Sequence, residues 1–114
     1  MGSLMASKQS IVDFIVDQLS DSGDVSAKKM FGDYGVFLSG KMIAMICDDK
    51  LFFKPTEQGR KFFQSITEGI PYPGAKPCFL VPEEEWDNRD WLASVAKATF
   101  NALPAPKKKP KKGQ

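Results

Sequence analysis

Between residues 30 and 54 the chain reads MFGDYGVFLSGKMIAMICDDKLFFK, three short apolar runs separated by two pairs of turn-forming residues. Val36-Phe37-Leu38, Met42 to Cys47 and Leu51-Phe52-Phe53 are too short for helices and rich in β-branched and aromatic side chains, so they read as strands. Ser39-Gly40 joins the first two as a two-residue hairpin, because glycine accepts the positive φ such turns demand, and Asp48-Asp49 does the same before the third. Both sides of the middle strand are apolar, with Met42, Ala44 and Ile46 expected on one face and Ile43, Met45 and Cys47 on the other. A strand of that kind needs cover on both faces, which places it centrally in a sheet with helices or a partner subunit against it.

The flanking sequence supplies the cover. Ile11, Val12, Phe14, Ile15, Val16 and Leu19 recur at three- and four-residue spacing, so residues 7–20 read as an amphipathic helix, with Ser7 as its N-cap and Gly23 as its stop. Residues 24–29 read as a polar connector. After the third strand, Pro55 and Thr56 open a second helix, with Thr56 as cap and Phe62, Phe63 and Ile66 as its buried stripe, running to Gly69. IPYPGAKP, at 70–77, is an extended loop. Cys78 to Val81, bounded by Pro77 and Pro82, is a strand suited to a sheet edge. A last helix begins at Asp87 or Asn88, carries Trp91, Leu92, Val95, Ala96, Thr99 and Leu103 on one face, and stops at Pro104.

With 114 residues, the chain makes one domain able to close a modest core without staples. The opening MGSL reads as an expression remnant with Met5 as the natural start, so residues 1–6 are set outside the fold. Residues 7–103 form the domain and 104–114 a tail expected to be disordered. No apolar run nears the length of a membrane span, no secretory signal opens the chain, and Cys47 and Cys78 fit small buried hydrophobes in a reducing cytoplasm.

Charge divides the chain. The net is +2, yet Lys107, Lys108, Lys109, Lys111 and Lys112 crowd the tail. With those five set aside, eleven basic residues face fourteen acidic ones and the body is net −3. An acidic body argues against a broad phosphate-binding face, so affinity for nucleic acid belongs to the tail.

Lys29, Met30, Phe31, Gly32, Tyr34 and Gly35, followed by the strand 36–38 and the Gly40, Lys41, Met42 hairpin, resemble the signature of the TfoX N-terminal domain family. The likeness continues through residues 43–54, the proline-bounded segment 72–82 and the helix with Trp91. It implies an α+β domain, an antiparallel β-meander plus further short strands with packed helices, in the order α-β-β-β-α-β(β)-α, a secretion-chaperone-like arrangement. It also implies kinship with bacterial regulators of competence for DNA uptake. Those regulators carry a second domain after this one, where here the lysine segment follows. Asp33 stands where the family usually has a further glycine.

Candidate chemistry is sparse. The glycines at 32 and 35 could cradle a phosphate, but phosphate loops feed a helix N-terminus and this one feeds a strand, which favours a bulge or close packing instead. Asp48-Asp49 and Glu83-Glu84-Glu85 are sequence neighbours whose carboxylates point apart, and turn and helix-start chemistry account for them. The chain lacks histidine, which removes the usual general base and the commonest metal ligand. No catalytic residue, metal or cofactor is expected. The five tail lysines offer mobile cations to DNA or RNA without reading bases, and equally serve as a solubilising terminus. They could touch an anionic membrane surface but have no lipid or aromatic anchor, so no membrane partner is expected. In a eukaryotic protein KKKPKK would resemble a nuclear address.

These readings converge on a cytoplasmic, non-enzymatic regulatory or interaction domain of bacterial type, acting through an unidentified protein partner with nonspecific nucleic-acid contact from the tail. The two-sided meander and the aromatics Phe52, Phe53, Phe79 and Trp86 also fit a homodimer. The alternative is a small enzyme or ligand-binding domain with a pocket beside Tyr34 and Tyr72.

Overall fold

The computed structural model describes residues 7–30 and 32–104. Three helices and six strands follow one another: α1 (Gln9–Leu19), β1 (Val25–Met30), β2 (Asp33–Leu38), β3 (Lys41–Cys47), β4 (Lys50–Phe53), α2 (Glu57–Arg60), β5 (Glu68–Gly69), β6 (Cys78–Leu80) and α3 (Arg89–Ala102). The strands form one antiparallel sheet in the order β1-β2-β3-β4-β6-β5. The protein is therefore of the α+β class.

Both predicted hairpins form as anticipated. Ser39 and Gly40 have φ of 50° and 87°, and Asp48 and Asp49 have 53° and 60°. Two consecutive positive φ values give turns whose twist matches that of the strands.

The helices lie on one side of the sheet. Val12, Ile15 and Leu19 of α1 and Leu92, Val95 and Ala96 of α3 meet Tyr34, Val36 and Leu38 of β2, Ala44 and Ile46 of β3, and Phe53 and Phe79 beyond them. Most of these side chains are inaccessible to solvent. Thr56 caps α2 by accepting a 2.9 Å hydrogen bond from the Gly59 amide, and Asn88 caps α3 by accepting one from the Trp91 amide at 3.2 Å.

Several sequence expectations are corrected. Residues 24–29 are no connector: Val25–Met30 is a strand paired along its whole length with β2, so the meander has four strands. Val25 and Ala27 turn toward the core while Ser26, Lys28 and Met30 alternate outward. The faces of β3 also differ. Its register on β2 shifts between Val36 and Phe37, leaving Ile43 as an extra residue, a β-bulge. Ile43 and Ala44 are thereby both delivered to the helix-covered core, and Met42 joins Met45 and Cys47 on the opposite face.

α2 ends at Arg60 rather than reaching Gly69. The next amides, of Phe62 and Phe63, bond three residues back to Gly59 and Arg60, tightening the turn. The Phe62 carbonyl accepts a hydrogen bond from the Trp91 indole N–H at 2.8 Å, a tertiary contact that fixes this turn against α3. The Phe63 ring packs edge-on against Trp91 and Phe79, at centroid distances of 5.0 and 5.5 Å. β6 is second from the edge, because the two-residue β5 lies outside it. Finally Lys8, not Ser7, occupies the N-cap of α1, without a side-chain bond.

Ser7 has a different task. Its amide donates to Asp33 Oδ1 at 2.9 Å, its hydroxyl accepts from the Asp49 amide at 2.9 Å, and the Asp48 amide donates to Asp33 Oδ2 at 2.8 Å. The carboxylate of Asp33 thus ties the start of the domain to the β3–β4 turn.

Candidate functional site

The side of the sheet away from the helices divides in two. Around β4 and β6, Met45, Cys47, Phe52 and Cys78 form a second buried cluster, with Met42, Leu80 and Tyr72 packed against it. Tyr72 comes from the proline-rich loop, which therefore acts as a lid over this half. Burial pushes the Cys47 thiol up to about 12, aided by the nearby charge of Asp33, and burial also raises Cys78. Neither is a ready nucleophile. Both are free, and they lie on strands separated by β4, two inter-strand spacings of about 4.8 Å apart, beyond the reach of a disulfide.

Over β1 and β2 no helix or loop among the described residues covers the same face. The register aligns Lys28 with Gly35 and Met45, and Ser26 with Phe37 and Met42. Gly35 is the centre of this patch. A Cβ there would lie 2.5 Å from Met30 Sδ and 2.9 Å from Met42 Sδ, so two thioethers lie across a position that has no side chain of its own. Met30 is 37% exposed, and Phe37 and Met42 are half-buried. The Lys28 ammonium stands 5.1 Å from the centroid of the Phe37 ring, which leaves a cation at the rim. Methionine is adaptable and polarisable, and such side chains recur at surfaces that accept partners. β1 is also the sheet's long edge, and exposed Lys28 and Lys29 guard it against uncontrolled strand addition.

The signature residues thus separate into two kinds. Met30, Gly35 and Met42 meet on the bare face. The others build the frame. Gly32 lies in the β1–β2 turn with φ of 82°, and Gly40 in the β2–β3 turn. The Tyr34 hydroxyl donates to Gln9 Oε1 at 3.1 Å, anchoring α1. Lys29 pairs with Tyr34 in register on the exposed edge. Lys41 Nζ donates to the carbonyls of Phe100 and Leu103 at 2.7 and 2.8 Å and sits 4.1 Å from the Phe100 ring centroid. It therefore closes the C-terminal end of α3, where free carbonyls and the helix dipole favour a cation. Phe31 and the lysines at 107, 108, 109, 111 and 112 lie outside the described residues.

The two tyrosines proposed to flank a pocket are on opposite faces. Tyr34 belongs to the helix-covered core and Tyr72 to the loop-covered cluster, so they cannot line one cavity. Among the described residues no three of the metal-binding types gather to hold an ion, and no helix is long and apolar enough to cross a membrane.

What sequence reasoning missed is Lys28, whose signal was present in the alternation Val25-x-Ala27 and obscured by the polar residues between. It also missed the convergence of Met30 and Met42, which depends on the bulge at Ile43.

The family model of the TfoX N-terminal domain matches residues 17–103, from within α1 to the end of α3. The chain is also 36% identical over 103 residues to an uncharacterized 12.7 kDa protein encoded in the trpE 5′ region of Spirochaeta aurantia, covering 90% of this chain and 89% of that one.

Proposed function

The chain belongs to the TfoX N-terminal domain family, and from that premise we propose that it is a non-enzymatic interaction module of a cytoplasmic regulatory system. Its bare sheet face receives a protein partner, and its C-terminal lysines add nonspecific contact with nucleic acid. The observation that carries the reading is the patch of Met30, Gly35, Phe37 and Met42. It is apolar, adaptable and free of helix cover, while the equivalent positions across the sheet are filled. The cationic rim of Lys28 and Lys29 favours a partner whose contact surface is apolar with an acidic border. The family's kinship with competence regulators supports a role in controlling gene expression through such contacts. A second copy of the chain is one partner of suitable shape.

Affinity capture from the native cell, with and without nuclease, tests both parts. Wild type is compared with Phe37→Asp, a change on the bare face, and with a variant in which all five tail lysines are glutamine. The reading requires a protein captured by wild type and the tail variant, nuclease-resistant, and lost with Phe37→Asp. Duplex-DNA binding across a salt series tests the tail: up to five phosphate contacts correspond to a slope of about −4.5. Equal binding by wild type and the glutamine variant would remove the tail from the function.

A further inference from the structure

Because α2 ends early, a cleft of about 430 Å³ lies between residues 62–65 and the start of α3. Its lining combines the aromatic residues Phe62, Phe63 and Trp91 with the acidic residues Glu84 and Glu85. The aromatic wall is rigid: Trp91 is held by its hydrogen bond to the Phe62 carbonyl and by the edge-on Phe63 ring. Phe62 is 41% exposed, an unusual position for so large an apolar ring. Neither glutamate forms an ion pair among the described residues; Glu85 Oε1 accepts a long 3.4 Å hydrogen bond from the Asn88 side-chain amide, and neighbouring Arg89 is engaged with Asp17 and Asp21. Aromatic rings beside carboxylates that form no ion pair are complementary to an alkylammonium group. The rings take its methylene stem and attract its charge, and the carboxylates neutralise it.

We infer that this cleft is the docking site of the chain's own C-terminal lysine segment, bound intramolecularly through Lys111 and Lys112. Charge complementarity favours it, since the body is net −3 and the segment carries five lysines within eleven residues. Reach selects which lysines. The cleft lies at the N-terminal end of α3 and the segment leaves from the C-terminal end, fourteen residues away, or about 21 Å. At about 3.1 Å per residue the seven residues from Pro104 to Lys111 can span about 22 Å, whereas the four to Lys108 can span only about 12 Å. Tethering makes the encounter intramolecular, so a short segment gains an effective concentration in the millimolar range. The contact is electrostatic and partly exposed, and salt weakens it.

The experiment is a comparison of amide and indole N–H spectra of the full chain by NMR. Lys111→Gln with Lys112→Gln should shift the Trp91 indole N–H and the amides of Gln64, Ser65, Glu84 and Glu85. Lys107→Gln with Lys108→Gln should leave them within error. Added salt should reproduce the first pattern in the wild type, and in a Glu84→Gln, Glu85→Gln background the lysine changes should have no effect. The shifts must not depend on protein concentration. Cleft resonances unmoved by the Lys111 and Lys112 changes would overturn the assignment. So would an equal response to the Lys107 and Lys108 pair, or a response that fades on dilution, which would make a second copy the occupant.

Discussion

The two faces of the sheet use similar residues for different ends. Toward the helices, Phe53, Ile46, Val36 and Leu51 are sealed at 0% exposure beneath α1 and α3, and their burial is the main source of stability. On the other face, the loop with Tyr72 seals only the half over β4 and β6. Over β1 and β2 two methionines lie across Gly35, and no described helix or loop covers them. Apolar character alone does not distinguish core from interface here. What distinguishes them is whether another element of the chain arrives to cover the strand.

The sharpest way to break this comparison is to truncate one aromatic on each face. Phe53→Ala empties a fully buried position and should cost about 3–5 kcal/mol, whereas Phe37→Ala on the bare face should cost at most about 1 kcal/mol. Urea denaturation with a common slope measures both. Equal losses would mean that the bare face is as much core as its opposite.

Next in size is Gly35→Ala. The new methyl meets two sulfurs, but both are the ends of flexible side chains that can swing outward. The expected loss is about 1–2 kcal/mol, and it should shrink when Met30 is also changed to Ala, because the clash and its relief belong to one contact. A full additive penalty in the double variant would show that Gly35 is required by the backbone instead.

These positions also show how far the sequence could be read. Turn chemistry is local, so Ser39-Gly40 and Asp48-Asp49 announced both hairpins, and Asn88 and Thr56 announced two helix starts. The bulge at Ile43 was invisible because a period of two assumes an unbroken strand, and only pairing with β2 reveals the extra residue. β1 was hidden for a similar reason: VSAKKM is polar as a segment, and its strand character comes from a partner lying beside it. The helical stripe of Phe62, Phe63 and Ile66 misled because tertiary contacts with Trp91 and Phe79 outweighed a short helix containing Gly59. Of the candidate site, the signature was legible as a block, but its division into frame and face was not. Lys41, read only as part of a motif, closes a helix sixty residues away.

That role of Lys41 makes a smaller prediction. Lys41→Met keeps the stem over Phe100 and removes the two charged hydrogen bonds, so stability should fall by about 1–2 kcal/mol. Hydrogen exchange should quicken in the last turn of α3 while the bare face keeps its protection. If exchange instead quickened around Gly35, the signature would act as one unit and the division into frame and face would fail.

The covered half of the outer face offers the finest test, because it is invisible at neutral pH. Cys47 is protonated in both folded and unfolded chains there, so its burial imposes no electrostatic cost. As pH rises past its ordinary value of 9.0 the unfolded chain loses the proton, while the folded chain holds it up to about 12. The folded state then binds more protons than the unfolded one, and stability falls across that window. Lysines and tyrosines also titrate in this range, so the informative quantity is the difference between wild type and Cys47→Ala. Wild type should lose stability more steeply between those two pH values, and its thiols should resist alkylation until the domain unfolds. Parallel curves together with rapid alkylation of the native protein would mean that the Tyr72 loop is no lid, and that the bare surface extends across the whole face.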